Sequence, residues 1–192
     1  MPPSEVEGLL SLLGSKGLTL ACAESCTGGM IGAALTETPG SSSVFLGSAV
    51  TYSNEAKERI LGVSHDTLLD HGAVSAETAG EMVRGAMRIY GSDTAIAVTG
   101  IAGPGGATPE KPVGLVYIAV ADGPRVVTCR NLFDGDRSMV RSSTVREACR
   151  LLADLIEGRL RGFLIGTAHV RQRPSAERWW NEVRETAPDS RG

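Results

Sequence analysis

The chain has 192 residues, 42% hydrophobic and 21% charged, with a net charge of -3 and a pI near 5.7. That is enough apolar material for one cored domain with an appendage, and the acidic balance argues against a nucleic-acid binder held by phosphate neutralisation. No apolar run reaches the roughly 18 residues of a membrane span, and the N-terminus is acidic where a signal peptide would be basic.

The four cysteines form no Cys-x-x-Cys pair, and His65, His71 and His169 show no ligand spacing. A reduced, cytoplasmic protein without membrane contact, metal or cofactor is the expectation.

In chain order, Ser4-Glu5-Val6-Glu7 fits a capping box before a helix carrying Val6, Leu9, Leu10 and Leu13 inward. Leu18 to Glu24 reads as a buried strand, and Met30 to Leu35 as a helix of small residues ending near Pro39-Gly40. A second strand runs from Val44 to Tyr52, and Asn54 is expected to cap a short helix to about Leu61. Gly62 to Gly72 is a connection with a helical turn. Ser75 caps a helix whose apolar stripe is Ala79, Met82, Val83, Ala86 and Tyr90. Thr94 to Val98 is a strand that enters Thr99–Gly106, and Val113–Ala121 with Arg125–Phe133 forms a hairpin. Asp134 or Asp136 opens a last helix that ends near Gly162. Strands alternating with helices, then a hairpin, predict an α/β domain over residues 1–162 with a mixed parallel and antiparallel sheet. Residues 163–192 read as a short tail rather than a second domain, with Trp179 and Trp180 either self-packed or at an interface.

Four polar clusters sit where strands end: Ser25–Gly29, Thr51–Lys57, Thr99–Gly106 and, in the approach to the hairpin, Glu110–Pro112, of which the first three are expected to converge. Ligands of open α/β sheets bind beyond the carboxyl ends of the strands, so one crevice is the economical arrangement. Ser25 is a nucleophile with the backbone N–H groups of Thr27, Gly28 and Gly29 as an oxyanion site; otherwise Ser25 or Thr27 is simply an N-cap. Lys57 is the candidate base. The chain has 16 Arg and only three Lys, Lys16, Lys57 and Lys111, so a retained lysine suggests a group that must lose a proton. In the first turn of its helix the dipole should lower its pKa; a solvated Lys paired with Glu55 or Glu58 is the bland alternative. Tyr52 either relays a proton or orients the base, or has no such role. The glycine-rich segment is neither a P-loop nor a Rossmann fingerprint, but it leaves a strand at Thr99 as an anion cradle would. Arg137 and Arg141, four apart on one helix face, bind an anion or pair with Asp134 and Glu147. Cys26 is the rival nucleophile, with Glu24 and Lys57 in a loose Glu-Lys-Cys arrangement.

Taken together these stretches resemble the CinA C-terminal domain family. The resemblance rests on Ala23-Glu24-Ser25-Cys26-Thr27-Gly28-Gly29, Pro39-Gly40-Ser41-Ser42, Val50-Thr51-Tyr52-Ser53-Asn54-Glu55-Ala56-Lys57, Gly72-Ala73-Val74-Ser75, Val98–Gly106, Pro109–Gly114 and Gly135-Asp136-Arg137, spanning residues 5 to 160 or so. It implies a three-layer α/β/α domain, usually a homodimer, and stand-alone members that are nicotinamide-nucleotide amidases. The implied substrate is nicotinamide mononucleotide, a pyridine mononucleotide, hydrolysed without metal by a Ser–Lys mechanism in pyridine nucleotide recycling. Carried over by position, Ser25 is the nucleophile, Lys57 the base, and Tyr52 and Thr99 assist. Thr27, Gly28, Gly29, Asn54, Gly100 and Gly103 line the substrate, and Arg141, or else Arg137, meets the phosphate. The two-domain relatives carry a further N-terminal domain resembling molybdopterin-binding proteins, outside these 192 residues, and the tail lies outside the resemblance. A non-catalytic nucleotide-binding or partner-binding module of the same family is the alternative.

Overall fold

Five strands form one sheet in the order β2-β1-β3-β4-β5: β1 Leu20–Glu24, β2 Phe45–Val50, β3 Thr94–Gly100, β4 Leu115–Asp122 and β5 Arg125–Leu132. The computed structural model describes residues 4–160. Strands β1, β2 and β3 are mutually parallel, because helices carry the chain back between them. The tight turn at Gly123-Pro124 makes β4 and β5 antiparallel, and β4 returns antiparallel to β3. Among the described residues six α-helices flank the sheet: α1 Ser4–Lys16, α2 Met30–Thr36, α3 Asn54–Leu61, α4 His65–His71, α5 Ala76–Tyr90 and α6 Arg137–Ile156.

The strand period of two sorts the side chains into two unlike layers. On one face Leu20, Cys22, Ile96, Val98, Ile118 and Val120 pack under α1, α2 and α6. On the other the sheet is almost all alanine (Ala21, Ala23, Ala49, Ala95, Ala97, Ala119 and Ala121), with α5 laid across it and α3 and α4 against α5. The expected stripe holds: Ala79, Met82, Val83 and Ala86 are buried. Gly85 faces α3 so closely that a Cβ there would lie 2.2 Å from the Leu61 carbonyl oxygen. The helix that carries Lys57 is thereby seated against the core. The result is a three-layer α/β/α domain with a mixed sheet: the strand and helix pattern predicts the mixed α/β sheet, and the family resemblance implies the three layers.

Several boundaries differ from expectation for local reasons. Ser53, not Asn54, is the N-cap of α3, its Oγ accepting from the Ala56 N–H; Asn54 is the first helical residue. The connection after Gly62 contains a full short helix, α4. Asp136 rather than Asp134 caps α6 by accepting from the Met139 N–H, and α6 ends at Ile156, short of Gly162. The boundary at 162 and the tail with Trp179 and Trp180 lie outside the described residues.

Candidate active site

The chain steps outward from β1 to β2, then returns to β3 on β1's other side, so the switch point of the sheet lies at the carboxyl end of β1. Ser25 is the next residue. Its N–H donates to the Val98 carbonyl at 3.1 Å, and Thr51 N–H donates to the Glu24 carbonyl at 2.8 Å. The three strand ends are thus laced together around one hydroxyl.

Neither Ser25 nor Thr27 is an N-cap. Helix α2 begins at Met30, and its cap position is Gly29, left-handed at φ 96° with no side-chain cap. The capping work is done from outside the helix by Glu24, which is fully buried. Its Oε2 accepts from Thr27 Oγ1 at 2.7 Å, Gly29 N–H at 3.0 Å and Ile31 N–H at 3.1 Å. Its Oε1 accepts from Gly32 N–H at 2.9 Å and Ser48 Oγ at 2.8 Å. Five donors converge on one carboxylate, three of them free amides of a helix start. Sequence reasoning gave Glu24 no structural role. The available signal was an acidic side chain in an otherwise apolar and small-residue run just ahead of a helix.

Lys57 is 1% exposed. Its Nζ lies 3.1 Å from Ser25 Oγ, 2.8 Å from the Thr51 carbonyl and 3.4 Å from the Tyr52 carbonyl. Among the described residues no carboxylate lies within 4.0 Å of it, so the solvated pair with Glu55 or Glu58 does not form. Burial lowers its pKa below the ordinary lysine value. The direction is the expected one, and its largest cause is loss of water. A neutral amine has two N–H groups and one lone pair. Two carbonyls for the first and a serine hydroxyl for the second match that inventory.

Cys26 is buried beside this pair, and burial pushes its thiol up to about 11. A thiol so raised is not a ready thiolate. Glu24 is committed to α2, so the Glu-Lys-Cys arrangement is not assembled.

The remaining residues divide. Tyr52 is 63% exposed, and its hydroxyl accepts from Arg137 Nη2 at 3.3 Å; only its carbonyl reaches Lys57. Thr99 is buried, with Oγ1 donating to the Ala73 carbonyl at 2.7 Å, and bonds neither Ser25 nor Lys57. The Gly28 amide is taken by the Ser25 carbonyl at 3.0 Å and the Gly29 amide by Glu24. The amides of Cys26 and Thr27 donate to no oxygen among the described residues. Gly100 and Gly103 have packing reasons to be glycine. A Cβ would lie 2.7 Å from the Leu115 carbonyl oxygen at Gly100, and 2.6 Å from Val113 Cγ1 at Gly103. Arg137 Nη1 donates to the Gly103 carbonyl at 2.9 Å and Arg141 Nη2 to the Thr27 carbonyl at 2.6 Å. Neither pairs with Asp134 or Glu147; Glu147 binds Arg150. Two guanidinium groups thus stand at the crevice with no carboxylate partner among the described residues. No group of three or more His, Cys, Asp or Glu that could hold a metal ion occurs there either, and no described helix is long and apolar enough to cross a membrane.

Fold and site define a three-layer α/β domain with a buried serine–lysine pair at its switch point. The chain matches the family model of the CinA C-terminal domain over residues 4–156 and belongs to that family. It is 57% identical over 136 residues to a CinA-like protein of Citrifermentans bemidjiense, covering 71% of this chain and 33% of that one. To a CinA-like protein of Thermotoga maritima it is 46% identical over 155 residues, covering 81% and 38%. The chain therefore spans about a third of the length of these curated relatives. Among solved structures, the competence/damage inducible protein CihA of Agrobacterium tumefaciens is similar at 43% identity and TM-score 0.78, with 80% of this chain and 94% of that one covered. A CinA superfamily protein of Escherichia coli is similar at 34% identity and TM-score 0.77, covering 79% and 88%.

Proposed function

We propose that this domain hydrolyses the carboxamide of nicotinamide mononucleotide, giving nicotinate mononucleotide and ammonia, with Ser25 as nucleophile and Lys57 as base. The observation that carries the reading is Lys57 Nζ, buried without an acid and 3.1 Å from Ser25 Oγ. A buried, acid-free amine beside a hydroxyl is costly as structure alone and apt as a general base.

Ser25 Oγ attacks the carboxamide carbon while its proton passes to Lys57. The tetrahedral oxyanion is met by the unengaged amides of Cys26 and Thr27. Lys57 then returns the proton to the leaving nitrogen, ammonia departs, and an ester to Ser25 remains. Water attacks the ester, giving its proton to Lys57, and the Ser25 oxygen leaves with that proton. The carbonyls of Thr51 and Tyr52 hold the amine through both halves. The phosphate of the substrate is an anion, and the crevice offers guanidinium charge unquenched by acids. The chemistry asks for no metal or cofactor.

The test is ammonia release from nicotinamide mononucleotide by the purified chain in the presence of a chelator. Ser25→Ala and Lys57→Arg should each lose at least 1,000-fold in kcat, since arginine keeps the charge but cannot serve as base. Cys26→Ala keeps the backbone amide and should stay within several-fold. An inactive Cys26→Ala with an active Ser25→Ala would transfer the nucleophile to Cys26. No ammonia from folded wild type would sink the reading and leave a binding module.

A further inference from the structure

Arg137 and Arg141 look alike in sequence, one turn apart, but their surroundings differ. Arg137 is exposed and reaches across to Gly103 and Tyr52. Arg141 is half-buried, its Nε has no partner among the described residues, and its Nη2 donates to the Thr27 carbonyl at 2.6 Å. Thr27 is fully buried. The peptide joining Thr27 to Gly28 is therefore held at both ends. Its carbonyl is held by Arg141, and its N–H donates to the Ser25 carbonyl at 3.0 Å. Gly28 sits in the left-handed region at φ 60°, and a Cβ there would come 3.5 Å from Arg141 Nη2. The guanidinium thus lies against the bare side of the turn that presents the nucleophile. A charge-assisted bond this short is among the stronger single contacts available to a loop. It also comes from the long helix α6, a rigid element on the far side of the chain sequence.

We propose that Arg141 is a positioning residue for the nucleophile turn: by pinning the Thr27–Gly28 peptide it holds the neighbouring amides of Cys26 and Thr27 toward the developing oxyanion. The substrate phosphate then falls to Arg137. Without the clamp the Thr27 carbonyl keeps only the long 3.4 Å bond from the Met30 N–H, its peptide plane is freer to rotate, and the adjoining plane rotates with it. This rests on the serine–lysine hydrolase reading above.

The experiment uses the full chain as wild type, Arg141→Gln and Arg141→Lys, with two readouts. The first is kcat and KM on nicotinamide mononucleotide and on nicotinamide riboside, which lacks the phosphate. The second is the rate at which a fluorophosphonate probe labels Ser25, with fluoride displaced and its phosphoryl oxygen seated where the oxyanion forms. A clamp predicts that Arg141→Gln lowers kcat on both substrates and the labelling rate by about 10- to 100-fold, below the loss of a whole oxyanion donor, with KM changed less than threefold. Arg141→Lys keeps the charge but not the fork, so it should also slow labelling at least fivefold. A rise in KM confined to the phosphorylated substrate, with labelling and kcat within twofold of wild type, makes Arg141 a phosphate ligand and overturns the clamp. If Arg141→Gln does not fold, labelling of Arg141→Lys at the wild-type rate overturns it equally. Wild type that labels at Ser25 but releases no ammonia ends the amidase reading, while the labelling ratios still decide the clamp. Wild type that does not label ends both.

Discussion

Replacing Glu24 with glutamine tests whether the acid beside the nucleophile is structural or chemical. In the wild type all five neighbours of the carboxylate are donors. Glutamine keeps one acceptor oxygen. If that oxygen takes the Oε2 place it can still meet Thr27 Oγ1, Gly29 N–H and Ile31 N–H. The new NH2 then faces the Gly32 N–H, which cannot turn away, and Ser48 Oγ, which can rotate to accept. One buried amide is orphaned, at about 1–3 kcal/mol, and three bonds lose charge assistance, at about 1 kcal/mol each. The sum is about 4–6 kcal/mol. For a chain of this size that lowers Tm by roughly 8–24 °C. Urea unfolding of wild type and Glu24→Gln, followed by circular dichroism, measures it directly. Ser48→Ala removes only one donor and should cost about 1 kcal/mol. A Glu24→Gln protein within about 1 kcal/mol of wild type refutes the capping argument. Lost turnover at that preserved stability would give Glu24 a chemical role instead.

Two further expectations concern Lys57 and its support. Because burial lowers the Lys57 pKa below about 10.5, kcat/KM should rise with pH and level off below that value, while Cys26, up at about 11, would rise later. The linked stability has a definite sign. The unfolded chain binds the proton more tightly, so in the window between the depressed folded pKa and the ordinary one wild type gains stability as pH rises, relative to Lys57→Met; a difference that is flat or falls with pH there contradicts a buried, depressed lysine. Gly85→Ala places a Cβ 2.2 Å from the Leu61 carbonyl oxygen and should destabilise by about 1–3 kcal/mol, with kcat falling further than Gly8→Ala, where nothing lies within 4 Å of the new Cβ.

The fold was largely legible because its signals are local. Strand and helix periods, the Gly123-Pro124 turn and the caps at Ser75 and Asp136 each lie within a few residues of what they determine. The serine–lysine pair was legible for a different reason: lysine is scarce enough here that Lys57 stands out. What was not legible depends on backbone atoms or on distant partners. A sequence shows that Tyr52 lies close to Lys57, but not that its carbonyl rather than its phenol touches Lys57. Nor does it show that Thr99 spends its hydroxyl on Ala73, 26 residues away, or that the Gly28 and Gly29 amides are already engaged while those of Cys26 and Thr27 donate to no oxygen among the described residues. Arg137 and Arg141 share a helix face as expected, yet apart from the Tyr52 hydroxyl that Arg137 reaches, their acceptors are the Gly103 and Thr27 carbonyls, which carry no residue-type signal.

The period of two along β1 keeps a carboxylate away from Lys57. Glu24 and Ser25 are consecutive, so a strand points them to opposite faces. Glu24 turns to the α2 side and is consumed by helix amides; Ser25 turns to the α3 side and meets Lys57. Were the register one residue different, the carboxylate would face the amine. At about 4 Å and an effective dielectric of about 20, that pair would favour the ammonium by about 4 kcal/mol, or about three pKa units. The acid nearest Ser25 in sequence is therefore held away from Lys57 by strand geometry. The same alternation places small alanines beneath α5, which seats α3 and so carries Lys57 to the serine. Segregating the acid and seating the helix that carries Lys57 are two consequences of one pattern in five residues, Leu20 to Glu24.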